Sequence, residues 1–286
     1  MLSTPVHEPL RRRVHMSDKS MSRRKFLVGA GAVLGAASVS GLALANRPSA
    51  ARAAGAALPL PWPYAELDAE AVARRAYEVY YASGCAEATW WPLVEALSAA
   101  NPDTWGTLPK NVFKFGGGGV GGWGTVCGTL NGSSAIIAMT GAPGKLTDAA
   151  MQYYAETPLP TNGIDKAVRA GWAPAASLPI PLPNVPTSTA HSQLCHASLS
   201  QWAMTTGAAD GSREQKDRCA KACYDMAFQT VTMLNAWHAD PANVPTVTLD
   251  PSIAACQTAC HTKPIAKGKM ACDSCHDQTP DHASVQ

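Results

Sequence analysis

Several patterns are scarce or missing in this chain of 286 residues. Strand-like alternation of apolar and polar residues shows only in "NVFKF" at 111–115, so the chain is expected to be mainly α. No nucleophile or acid–base set stands out. The glycine run holds Gly117, Gly119 and Gly122 at dinucleotide-fingerprint spacing. It lacks a βαβ frame, an acidic residue about twenty positions on, and a following Lys-Ser/Thr, so nucleotide binding is not expected. A basic stripe is missing as well. Nine of the 23 Lys and Arg lie in residues 1–53 against Glu8 and Asp18, which leaves the remainder with 14 basic and 19 acidic side chains, a net of −5. Such a surface does not hold a phosphate backbone, and nucleic acid is excluded as a partner.

The front of the chain holds no long, strongly apolar run. "SRRKFLVGAGAVLGAASVSGLALA" sets Arg23 and Arg24 before a stretch dominated by Ala and Gly, with A-x-A-like sites ending at Ala45 or Ala53. Paired arginines before a weakly apolar segment read as a twin-arginine export signal. An uncleaved anchor is the alternative, but Gly and Ala make a poor span. Residues 1–53 are therefore assigned to the signal and an upstream extension, with Met16 and Met21 as alternative starts. The expected location is the periplasm, with no stable membrane span once the signal is removed.

Apolar residues recur at helical spacing from Ala65, with Gly84 as a stop; a second helix follows from Cys85, kinked or restarted at Pro92. Gly124, Gly128 and Gly132, four apart, leave room for a close helix neighbour. Residues 54–157 form this helical region with its glycine-rich loop. Residues 158–190 form a proline-rich connector with no core of its own. Residues 191–245 hold Cys- and His-bearing helices, one from about 188 through Trp202 and one opened by the capping pattern "SREQ" at 212–215, running to about His238. Residues 246–286 are a loop-rich tail. Trp90, Trp91, Trp123 and Trp202 are expected in the core or against a cofactor.

That tail reads "CQTACHTKPIAKGKMACDSCH". Cys272, Cys275 and His276 form C-x-x-C-H, the spacing for covalent c-type haem: two thiols take the vinyl groups and the histidine takes the iron. Cys256, Cys260 and His261 repeat it with one extra residue. Zinc knuckles and disulfides are the alternatives. Neither explains a histidine after each second cysteine, so two haem c groups per chain are expected, with His261 and His276 as proximal ligands. Ten residues separate the two motifs, a reach of no more than about 35 Å. For the distal positions His196 and His191 lead, with His238 third. As neighbours five apart on a helix, His191 and His196 would point about 140° apart. Met204, Met226, Met233 and Met270 are the rival ligands.

Five cysteines remain: Cys85, Cys127, Cys195, Cys219 and Cys223. An odd number cannot pair fully within one chain. Cys219 and Cys223 share one helix face, and His191 and Cys195 have the same spacing. Twin-arginine export carries proteins folded around a cofactor inserted inside the cell, whereas haem c is attached outside. A cysteine-ligated iron–sulfur cluster would account for the route; disulfides or buried thiols packed as hydrophobes are the alternatives.

"SGCAEATWW", "FGGGGVGGWGTVCGTLNG", "HSQLCHASLSQW" and "DRCAKACYDMAFQTVTMLN" resemble the C_GCAxx redox-protein family. With the export signal and the doubled haem motif, the chain from about residue 64 to 280 is similar to the split-Soret cytochromes c. The resemblance implies a largely helical, dimeric periplasmic electron carrier with two closely spaced bis-histidine haems per chain, one ligand of which can come from the other subunit. It also implies an iron–sulfur site, with Cys85, Cys127, Cys195 and Cys219 in the family's cysteine places and Cys223 beside them. The function expected is electron transfer between redox partner proteins, not enzyme catalysis. A haem-based small-molecule reductase or peroxidase is the alternative, and a Cys219/Cys223 thiol switch ranks last.

Overall fold

Asp68 opens the first helix because its carboxylate can serve two orphan amides. Its Oδ1 accepts the N–H groups of Glu70 and Ala71 at 2.9 and 3.0 Å, and helix α1 runs Ala69–Ala100. The computed structural model describes residues 58–251, 253 and 268–270, all within the unit Ala56–Gln286. The expected export segment and both Cys–His motifs of the tail lie outside the described residues.

The break in α1 falls at Gly84, with φ 78° and ψ −179°, and not at Pro92, which sits inside helical backbone. The reason is steric. A positive φ favours glycine, and a Cβ at Gly84 would meet the Cα of Gly117 at 3.3 Å. Cys85 begins the second half of α1 directly after this break. The "NVFKF" segment is not a strand: Asn111 has φ 69°, and a single 3-10 turn follows at Lys114–Gly116. Its amides are taken by one buried carboxylate, since Glu87 accepts from Asn111 N at 2.6 Å and Phe113 N at 2.8 Å.

Helices α2 (Gly128–Met139) and α3 (Gly144–Glu156) follow. Two of the three spaced glycines act as expected. A Cβ at Gly132 would lie 2.3 Å from Ala86 O and 2.4 Å from Thr89 Oγ1, and one at Gly128 would lie 2.1 Å from Gly116 O. Their bare backbone is what lets α2 lie against α1. Gly124 stands outside the helix. Leu93 and Leu97 of α1, Leu130 and Ile136 of α2, Leu146 of α3, and Leu234 of the later helix Arg213–Ala239 meet in one core. Each such fully buried Leu or Ile contributes about 2 kcal/mol.

The connector is extended apart from one short helix, α4 (Ile164–Arg169). Leu159 and Ala190 anchor it in the main core and Ile164 in a second apolar cluster, and buried charges fasten the stretches between. Helix α6 (Arg213–Ala239) is capped as expected: Ser212 Oγ accepts from Gln215 N at 3.2 Å. It presents Asp217, Lys221 and Asp225 at four-residue intervals to the connector. Asp217 accepts from Leu182 N at 3.0 Å. Lys221 donates to Asp165 at 2.6 Å and Asn162 at 2.8 Å, and Asp225 accepts from Thr161 N at 2.7 Å. These three charges are buried, and they satisfy connector polar groups that have no sheet or helix partner.

Helix α5 spans Cys195–Thr206 and starts later than its apolar spacing predicts. Residues 191–194 are non-helical; His191 has φ 48°, and Leu194 bridges Val126 in antiparallel fashion. His191 and His196 therefore do not share a helix, and the turn relation expected between His191 and Cys195 does not exist. Pairing with residues 124–127 outcompetes a first helical turn here. Among the described residues no helix is long and apolar enough to cross a membrane, and the two β-bridges are isolated.

Candidate metal centre and haem-ligand positions

Four chain segments converge on the leftover cysteines. Cys85 follows the Gly84 break, Cys127 is the N-cap residue of α2, Cys195 opens α5, and Cys219 and Cys223 lie one turn apart on α6. A three-rung ladder joins two of these segments. Cys127 N donates to Gln193 O at 2.9 Å, Cys195 N to Thr125 O at 2.8 Å, and His196 N to Gly124 O at 3.1 Å. Gly124 is needed for that approach, because a Cβ there would meet His196 Cβ at 2.8 Å. Packing of α1 on α6 closes the other side: Cys85, Cys219 and Cys223 share an apolar cluster with Val79 and Ala88.

The thiols are free and, apart from the half-exposed Cys195, buried. No disulfide links these five. They interact in pairs: Cys223 with Cys85, Cys85 with Cys127, and Cys127 with Cys195. Thr129 Oγ1 also donates to Cys127 Sγ at 3.3 Å. The consequence is asymmetric. The Cys195 and Cys85 thiols, donating to Cys127, hold it well below the usual thiol range. Cys85 and Cys195 are correspondingly pushed up by their contact with Cys127, and Cys219 is pushed up by burial. Cys127, at a helix N-terminus, is where negative charge settles first.

Sequence reasoning missed the residues around the thiols. Arg218, 3% exposed, donates from Nη2 to Ser198 Oγ at 2.7 Å. Its Nε and the buried Tyr154 hydroxyl have no hydrogen-bond partner. Tyr80 and Trp91 pack on the cysteine cluster. A basic residue one position before Cys219 was the available signal, but nothing in sequence says which face of α6 it takes.

The donor set, several buried thiols, has the chemistry of an iron–sulfur site but not the arrangement of one. Among the described residues no group of three or more His, Cys, Asp or Glu stands ready to hold a metal ion.

The distal candidates separate. His191 is exposed beside a cavity of about 370 Å³ whose wall includes Val126, Leu194, Ile253, Lys269 and Met270. The tail is fastened here on both sides of the first Cys–His motif. Gln152 donates to Thr248 O at 2.9 Å, Lys269 pairs with Asp148 at 2.7 Å, and Ser192 Oγ donates to Met270 Sδ at 3.6 Å. His191 thus sits by the segment that leads into Cys272. His196 is exposed on the other end of the ladder, by the glycine loop. His238 is at the end of α6, edge-on to Tyr64 at 5.2 Å, about 22 Å along the helix from Cys223. Of the methionines, Met226 and Met233 are core residues, Met204 is 86% exposed, and Met270 lines the cavity. Trp90 and Trp202 are buried as expected, but Trp123 is 85% exposed at the loop tip.

Comparison with known proteins bears out the resemblance and the mainly helical fold. The chain is 25% identical over 281 residues to split-Soret cytochrome c of Desulfovibrio desulfuricans, covering 91% of this chain and 96% of that protein. A solved structure of split-Soret cytochrome c from the same species, described as having a novel iron centre, aligns with a TM-score of 0.66 at 24% identity, over 79% of this chain and 92% of the other. No protein-family model matches.

Proposed function

We propose that this relative of split-Soret cytochrome c is a periplasmic di-haem c-type cytochrome that passes electrons between redox partner proteins. Cys256 with Cys260, and Cys272 with Cys275, attach the two haems; His261 and His276 are the proximal ligands. When bound, each haem supplies a one-electron iron couple. His191 is the favoured distal residue for the haem at Cys272, because it lies at the cavity where Lys269 and Met270 are fastened. His196 and His238 remain candidates for the other iron, with a second subunit of a homodimer as a further source. The five clustered cysteines hold an iron–sulfur centre that is assembled before twin-arginine export.

The observation that carries this reading is the doubled Cys–His motif in a chain similar to a cytochrome c over 91% of its length. The thiol pocket adds support, since Val126 and Leu194 of the ladder face the cavity while Cys127 and Cys195 of the same ladder join the thiols. Pyridine haemochrome analysis of the exported protein tests it, with two covalent haems per chain expected. Total iron in excess of haem iron is expected too, and carbon monoxide should leave the reduced spectrum unchanged. A colourless, zinc-bearing product overturns the reading, and carbon monoxide binding at native pH turns it toward the reductase or peroxidase. Analytical ultracentrifugation tests the dimer.

A further inference from the structure

We propose that the glycine loop at 116–124 seats the protein on an anionic lipid surface, with Trp123 and Val120 entering the headgroup layer and Lys110 and Lys114 meeting its charge. This inference needs neither cofactor of the function proposed above. Hydrogen bonds brace the loop. Gly121 N donates to Phe115 O at 2.7 Å, Gly124 N to Gly118 O at 2.9 Å, and Val120 N to Thr125 Oγ1 at 2.9 Å. Gly119, at φ 82°, lets the turn close on itself, since a Cβ there would lie 2.5 Å from Thr125 N. So held, the loop presents Trp123 at 85% exposure, with Phe115 at 54% and Val120 at 44%. The Trp123 ring lies over Gly121, 3.7 Å from where a Cβ would stand, and Gly121 is the residue bonded to Phe115. The Phe115 ring is 5.7 Å from that of Phe113, which is 4.5 Å from the buried Trp90 ring, so the exposed aromatics are braced from the core.

Charge chooses the occupant. Residues 54–286 carry 19 acidic side chains, yet none falls between Asp103 and Asp148 or between Asp165 and Asp210. The bonds from Cys127 N to Gln193 O and from His196 N to Gly124 O set these two acid-free stretches side by side at the base of the loop. Lys110 and Lys114, both exposed, lead into it. The carboxylates that α1 brings up from below are spent. Glu87 is buried and takes the Asn111 and Phe113 amides, and Glu95 is clasped by Arg75. Exposed apolar groups gathered in this way mark a protein or a membrane contact. The make-up of the tip favours lipid: among residues 116–124 only Val120 and Trp123 are not glycine. A protein hot spot needs a rim of side chains to keep water out, and this tip has none. A fluid headgroup layer closes around a bare protrusion unaided. Tryptophan settles in that layer, and an anionic surface draws lysine to it.

The test is vesicle co-sedimentation of the full exported protein, its leader removed, read by gel densitometry. The vesicles are phosphatidylcholine alone, or phosphatidylcholine mixed with phosphatidylglycerol. Wild type should bind the anionic vesicles, bind the neutral ones far less, and be released by added salt. Trp123→Ser should weaken the partition about tenfold. Lys110→Gln and Lys114→Gln should each weaken it about fivefold, on anionic vesicles only. Ile180→Ser, which removes a 60%-exposed apolar side chain from the connector, should leave binding unchanged. All four positions are exposed, so thermal melts of the variants should match wild type. Wild type that stays in solution with anionic vesicles overturns the proposal, as does undiminished binding of Trp123→Ser or an equal loss in Ile180→Ser. A dimer that Trp123→Ser dissociates in analytical ultracentrifugation assigns the loop to a second copy of the chain and overturns it too.

Discussion

The amide of Cys127 donates to the carbonyl of Gln193 at 2.9 Å, and this bond brings a residue of α2 beside the start of α5 although 66 positions separate them. It is a backbone bond, so it survives replacement of the Cys127 side chain. That separation of scaffold from chemistry makes the thiols individually testable.

Cys127→Ala should therefore abolish the non-haem iron of the exported protein while leaving two haems per chain and a native thermal transition. Cys127 is the thiol that Cys195, Cys85 and Thr129 all serve as donors. Iron counting beside pyridine haemochrome reads both quantities. Retention of non-haem iron in this variant would remove Cys127 from the ligand set.

At the α1–α2 contact, Gly132→Ala should lower the thermal midpoint despite the better helix propensity of alanine. The new Cβ would meet Ala86 O at 2.3 Å and Thr89 Oγ1 at 2.4 Å. Overpacking costs about 1–3 kcal/mol, more than the gain of about 1 kcal/mol from helix propensity. Differential scanning calorimetry checks the sign; a raised midpoint would contradict the close approach.

Lys221 is fully buried against Asp165, and removing either partner alone leaves an uncompensated charge. Lys221→Met should destabilise by about 3–5 kcal/mol. Adding Asp165→Leu to it should recover part of the loss. Urea unfolding of the two single variants and the double variant gives the cycle.

Arg75 clasps Glu95 across the Gly84 break, with Nε donating at 2.9 Å and Nη2 at 3.2 Å. Burial pushes the Glu95 carboxyl up, but these bonds outweigh it and hold it below its ordinary value of 4.5. A depressed acid stabilises the fold above its unfolded value and loses that contribution as pH falls through the folded value. The pair should thus weaken below pH 4.5. Both side chains are over a third exposed or close to it, so the effect is under about 1 kcal/mol. Glu95→Gln should flatten that part of the stability–pH curve, as read by thermal melts in buffers on either side of the window.

For the haem ligands, His191→Ala should convert one haem of the reduced protein to a form that binds carbon monoxide. His238→Ala tests the other iron: a second haem that binds carbon monoxide assigns His238 to it, and an unchanged spectrum leaves His238 with Tyr64 as its neighbour. Visible spectra before and after carbon monoxide distinguish them. An unaltered His191→Ala spectrum would send the distal assignment to His196 or to a second subunit.

The helices were legible where their signals are local. Ser212 caps as the "SREQ" pattern dictates, and α6 ends at Ala239, one residue past the expected His238 and before Pro241. The glycines at 128 and 132 announced a close contact without naming the partner. The errors share one cause. Residues 191–194 have helical spacing, but the His191 amide bonds Ala155 O, the Gln193 carbonyl accepts from Cys127 N, and the Leu194 amide turns to Ser192 Oγ. Likewise "NVFKF" alternates like a strand, but Glu87 drew its amides into turns. In each case a distant hydrogen-bond partner overrode a local preference.

By itself, the sequence determined the pairing of the two Cys–His motifs, the surplus of five cysteines and the mainly helical build, because spacing along a chain is a local property. Only the tertiary structure decided that those thiols share one buried pocket, that Arg218 is enclosed with them, and that His191, rather than His196, faces the fastened tail. These depend on which helix faces meet, and that is set by glycine gaps, ladder bonds and buried charges acting between residues far apart in the chain.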